Sequence, residues 1–153
     1  VSATPSANFL PIAAMMFAAG IGIPVFAAFN SGLGKQLGGP IAATAAAFAV
    51  GLVIALVLVA ATGFPKAEAF NFSTPYIWFG AVFILFYGAS VTYAAPRIGL
   101  GNAIFFVLLG QIVAAAAIDH FGWLGAIQSA MTPKRALGIA VMAVGLYLAR
   151  KPA

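Results

Sequence analysis

From Pro40 to Thr62 the chain reads PIAATAAAFAVGLVIALVLVAAT, 23 residues without a charge. The hydrocarbon of a bilayer is ~30 Å thick and an α-helix rises ~1.5 Å per residue, so ~20 such residues cross it. The pattern then recurs along the chain. Charges and turn residues divide the 153 residues into apolar runs at about 9–29, 40–62, 76–95, 102–121 and 133–149. The runs are unbroken rather than alternating, which argues for helices over the ~10-residue, period-two strands of a barrel. Residues 1–153 are therefore expected to form a single all-α transmembrane domain of about five transmembrane helices. Composition excludes a soluble alternative: 6% of residues are charged and 64% hydrophobic, with a mean hydropathy of +1.12. Soluble domains carry roughly a quarter charged residues.

The segments between the runs look like connections. Asn30 to Gly39, NSGLGKQLGG, is polar and glycine-rich and reads as a loop. Pro40 suits a first helical turn, where its missing N–H costs nothing. The longest loop, GFPKAEAFNFSTP from Gly63 to Pro75, holds Lys66 and Glu68 and suits the membrane surface. Tyr76, Trp78 and Tyr93 flank the third run as interfacial rings do. APRIGLG, from Ala95 to Gly101, reads as a tight turn, and the closing RKPA as a basic anchor. The chain opens on Val1, so its start carries no reading of a targeting signal.

The net charge of +5 does not point to nucleic acid, because the basic residues stand singly or in pairs beside apolar runs, where they meet lipid headgroups. The bilayer is the expected partner. There is no cysteine and one histidine, so neither a disulfide framework nor a thiolate metal site is available. No nucleophile–base pair, phosphate loop or zinc motif occurs. The expectation is no enzyme, no catalytic residue, no cofactor and no metal.

Orientation is less decided than hydropathy. With five spans, one side of the membrane carries Lys66, Lys134 and Arg135, and the other Lys35, Arg97, Arg150 and Lys151. A difference of this size sets no orientation by the positive-inside rule. A chain of this kind suits dual topology, in which two copies with an odd number of spans pack antiparallel as an inverted repeat. The opposing expectation is one orientation set by a partner.

Several separated strings carry a family resemblance: GIGIPVFAAFNSGLGKQLGGPIAATAAAFAVG (Gly20 to Gly51), APRIGLGNAIFFVLLGQ (Ala95 to Gln111), IDHFGWLG (Ile118 to Gly125) and PKRALGIAVMAVGLYL (Pro133 to Leu148). In order and over nearly the whole chain, they resemble the YdcZ-type branch of the drug/metabolite transporter (EamA-like) superfamily. The resemblance implies a unit equivalent to half of a ten-helix transporter, working as a homodimer or as a heterodimer with a paralogue. It also implies the bacterial inner (cytoplasmic) membrane and the export of small molecules. The small multidrug exporters that resemble its four-helix members centre proton exchange on a glutamate in the first helix. This chain has none there, so a neutral or zwitterionic substrate fits as well as a lipophilic cation.

Individual residues carry paired readings. Pro24 removes the hydrogen bond to the carbonyl of Gly20, giving either a packing kink or a broken helix that lines a cavity. Asn30 is a ligand or a helix-end cap. Gln111, near the middle of the fourth run, lines a pathway or bonds another helix, since an amide at that depth needs a partner. Asp119 and His120 couple protons, or serve as helix-end contacts with Arg97 or Lys134. Gly80, Gly88, Gly138 and Gly145 suit close helix contact. Tyr87, Ser90 and Thr92 with the phenylalanines line a partly polar cavity, or face lipid and core.

Two functions compete. One is a secondary carrier with a midplane site lined by the Pro24 region, Gln111 and aromatics. The other is a non-transporting structural or accessory subunit of a larger membrane complex.

Overall fold

The structure, a computed structural model, describes residues 9–70 and 72–149. Among them are five α-helices and no strand: α1 Phe9–Gln36, α2 Pro40–Thr62, α3 Gly80–Ile98, α4 Leu100–Phe121 and α5 Pro133–Ala149. Short 3-10 turns stand at Ala67–Ala69, Pro75–Phe79 and Trp123–Gly125. α1, α2, α4 and the stretch Pro75–Ile98 are long and apolar enough to cross a membrane. At 17 residues, α5 is the shortest helix, about 26 Å long at ~1.5 Å per residue. Arg150 and Lys151 of the expected basic anchor lie outside the described residues.

Three helix ends differ from the hydropathy reading. α1 does not stop at Phe29 but continues through Gln36, so Asn30 lies inside it rather than capping it. The apparent loop residues are helical because Asn30 turns its donors toward other helices, and Gly34 allows close approach of α3. α3 begins at Gly80, after a 3-10 turn with Pro75 at its start, and runs past Pro96 to Ile98. The expected turn Ala95 to Gly101 shrinks to Gly99, whose φ of 85° ends one helix before the next begins. Only glycine takes such a backbone without strain.

The chain divides into two compact units, Val1–Pro96 and Arg97–Ala153. In the first, α1 and α2 are antiparallel neighbours across the short turn after Gln36, where Gly38 has a φ of 75°. The buried residues gather toward that turn: Ala27 and Asn30 on α1, Ala43 and Thr44 on α2, Gly88, Val91, Thr92 and Ala95 on α3. Toward the other end nearly every side chain is exposed, including Phe9, Leu10 and Phe17 on α1, Leu52 and Leu58 on α2, and Phe83 and Phe86 on α3. The three helices thus pack at one end and present bare apolar surface at the other. Such surface is stable in hydrocarbon, where lipid tails are as apolar as leucine.

In the second unit, α4 ends at Gly122, a left-handed residue whose N–H bonds the Ile118 carbonyl. Residues 122–132 then fold back on the end of α4 before α5 starts. Thr132 caps that start by accepting the N–H of Arg135 at 3.2 Å, with Pro133 at the first helical position. Between α4 and α5 lies an apolar pocket of about 140 Å³ lined by Phe105, Phe106, Leu109, Ala143, Leu146 and Tyr147.

Candidate functional site: a neutral polar junction of three helices

Asn30 is 2% exposed, and its amide joins three helices. Nδ2 donates to Thr44 Oγ1 on α2 at 3.1 Å and to Thr92 Oγ1 on α3 at 2.6 Å. Each threonine has already placed its own proton: Thr44 Oγ1 donates to the Pro40 carbonyl at 2.8 Å, and Thr92 Oγ1 to the Gly88 carbonyl at 2.7 Å. Both hydroxyls can therefore only accept from Asn30, which dictates which end of the amide faces them. Both amide hydrogens are consumed. Asn30 Oδ1 is buried with no donor among the described residues.

Two glycines permit this approach. A Cβ on Gly88 would stand 2.7 Å from Thr44 Cγ2 and 3.6 Å from Phe26 Cζ, and one on Gly34 would stand 2.9 Å from Thr92 Cγ2. The methyls belong to β-branched side chains with little rotational freedom, so neither contact tolerates a methyl group. Phe26, one turn before Asn30, stacks on Tyr87 with ring centroids 6.2 Å apart. The Tyr87 hydroxyl is the second buried polar atom without a partner among the described residues. One end of the first unit therefore holds an uncharged cluster of amide, hydroxyls and aromatic rings with an acceptor and a phenol unsatisfied.

Asp119 and His120 do different work in the second unit. Asp119 Oδ2 accepts from Arg135 Nη2 at 2.5 Å, and its carbonyl accepts the Ser129 N–H at 2.8 Å. His120 Nδ1 accepts the Met131 N–H at 3.0 Å, so that nitrogen holds a lone pair and the ring proton sits on Nε2. The His120 carbonyl accepts Gln128 Nε2 at 3.2 Å, and Arg135 Nη1 donates to the Ser129 carbonyl at 3.2 Å. Together they clamp residues 122–132 to the ends of α4 and α5. The carboxylate's ion-pair partner is Arg135, rather than the expected Arg97 or Lys134.

The remaining sequence candidates are not drawn into the junction. Gly20 is exposed with open space around it, and Pro24 is half-buried within an unbroken α1, which removes the broken-helix alternative. Gln111 is exposed on α4, lies outside the apolar α4–α5 pocket and belongs to the other unit from Asn30. Of the four glycines expected at helix contacts, Gly88 makes one; around Gly80, Gly138 and Gly145 the space is open. Thr44 and Gly34 escaped the sequence reading. Their signal was present only as spacing: Gly34 lies four residues after Asn30, and Thr44 four after Pro40, where its hydroxyl reaches back to a carbonyl.

Apolar spanning helices with few charges define an all-α integral membrane protein. Residues 11–148 match the family model described as "Putative inner membrane exporter, YdcZ". The chain belongs to that family, whose description is of an inner-membrane exporter and not of an enzyme. Neither the curated proteins nor the solved structures contain a match to it.

Proposed function

We propose that this chain is a small-molecule secondary exporter that works as an antiparallel pair of copies, or as a pair with a paralogue. The observation that carries the reading is the Asn30 junction. Interhelical glue alone would leave no reason to bury an amide with an idle acceptor, since each unsatisfied buried polar atom costs ~1–3 kcal/mol. Transporters tolerate such costs where a pathway needs a polar contact. The near-equal division of Lys and Arg between the two sides supports a second, inverted copy. The Asp119–Arg135 clamp supports a structural role for that pair over a part in proton coupling.

The chain has no cysteine, so single cysteines report orientation against a clean background. In intact cells, Lys35→Cys and Lys66→Cys, on opposite sides by span count, are each expected to label to about half with a membrane-impermeant maleimide. Complete labelling of one and none of the other would remove the antiparallel homodimer and leave a pair with a paralogue or an accessory subunit of a larger membrane complex.

A further inference from the structure

We infer that Asn30 Oδ1 is the recognition atom for a neutral substrate carrying an N–H or O–H donor, with the Tyr87 hydroxyl as its second polar contact. The inference rests on the exporter reading and adds the chemistry of what is exported. It follows from counting protons: the two threonine hydrogens go to backbone carbonyls and the two amide hydrogens go to the threonines. What remains at Asn30 is an acceptor and nothing else, so an incoming group must donate.

Charge selects among donors. α1, α2 and α3 contain no carboxylate, and the acidic residue of the first unit, Glu68, lies in the 63–75 connection. Lys35 stands in the last turn of α1, five residues beyond Asn30. A cation at the junction would have no counter-charge in its own unit's spanning helices and would meet a positive charge toward the nearer end. An anion would face the lone pairs of Oδ1. A neutral donor escapes both penalties. Phe26 and Tyr87 add flat apolar walls, which suit an aromatic or otherwise planar body.

The test uses two isomers of equal size, 3-methylindole, which keeps its N–H, and 1-methylindole, which lacks it. Binding is measured by equilibrium dialysis on the full chain in nanodiscs, after subtraction of empty nanodiscs. The wild-type chain is expected to bind 3-methylindole about fivefold more tightly, the effect of one net hydrogen bond. Asn30→Leu keeps the volume and leaves both threonine–carbonyl bonds in place; it is expected to erase the preference. Tyr87→Phe, which removes one oxygen, is expected to reduce it. Equal binding of the isomers, binding of neither, or a preference that survives in a folded Asn30→Leu protein would overturn the inference. That last result would leave a trapped water as the partner of Oδ1. The exporter reading is read separately, by orientation labelling and by flux in proteoliposomes. A donor preference without flux would defeat the exporter and leave the recognition atom standing, whereas flux without a donor preference would do the reverse.

Discussion

The Asn30 junction and the Asp119–Arg135 clamp are both polar clusters in an apolar protein, built from opposite materials. The junction is uncharged, fully buried, and joins helices distant in sequence: Asn30 to Thr44 spans 14 positions and Asn30 to Thr92 spans 62. The clamp is charged, about a third exposed, and joins residues no more than 16 apart around one connection. Inside hydrocarbon an ion pair would carry a desolvation cost that neutral amides and hydroxyls avoid. At a helix end, water and headgroups lower that cost, and a carboxylate–guanidinium pair holds a loop cheaply. The clamp also leaves few loose ends, whereas the junction leaves an amide oxygen and a phenol idle. The difference separates a part that holds from a part that can receive.

The sharpest way to break this contrast is to overfill the junction. Gly88→Ala places a methyl against Thr44 Cγ2 and is expected to cost about 1–3 kcal/mol in a detergent or bicelle unfolding assay. Adding Thr44→Ser, which removes that methyl and keeps the hydroxyl, is expected to recover most of the loss. No recovery would mean that the contact does not set the packing. A smaller effect follows from Asn30→Leu, which gives up two interhelical hydrogen bonds while relieving an unsatisfied oxygen. At about 0.6 kcal/mol for an average bond of this type in a membrane, the loss should stay near 1 kcal/mol in the same assay. A much larger loss would make the residue a structural pin. The smallest effect belongs to the clamp. Asp119→Asn is expected to change global stability by less than about 1 kcal/mol. Its mark should be local, as faster amide hydrogen exchange at Ser129. Unchanged exchange there would remove the clamp.

Much of the fold could be read before any coordinate. The hydrocarbon thickness imposes one length on every span, and Pro40 and Gly63 mark the ends of α2 in ways that depend on neighbouring residues alone. The family strings likewise stand in the order of the chain. The end of α1 was misread because NSGLGKQLGG has loop composition, while its helicity depends on α3 coming close to Gly34. Asn30 was singled out through its family string, but its partner Thr44 was not. A threonine in an alanine-rich helix carries no sign of whether its neighbour is lipid or an amide 14 residues away. Thr92 and Tyr87 were noticed as cavity candidates without the contacts that now join Thr92 to Asn30. Arg135 was passed over for Arg97 and Lys134, because which basic residue meets Asp119 depends on how residues 122–132 turn at Gly122 and Leu124, whose φ values are 63° and 58°.

The one-ended packing of α1, α2 and α3 has a mechanical consequence. About 20 residues of α1 extend from Asn30 back to Phe9, a lever about 30 Å long at ~1.5 Å per residue. A rotation of about 10° at the junction would carry the far tip through about 5 Å, roughly one helical pitch. The fulcrum of that lever is the same amide whose oxygen stands idle, so a small shift at that one residue is magnified at the far end of the helix.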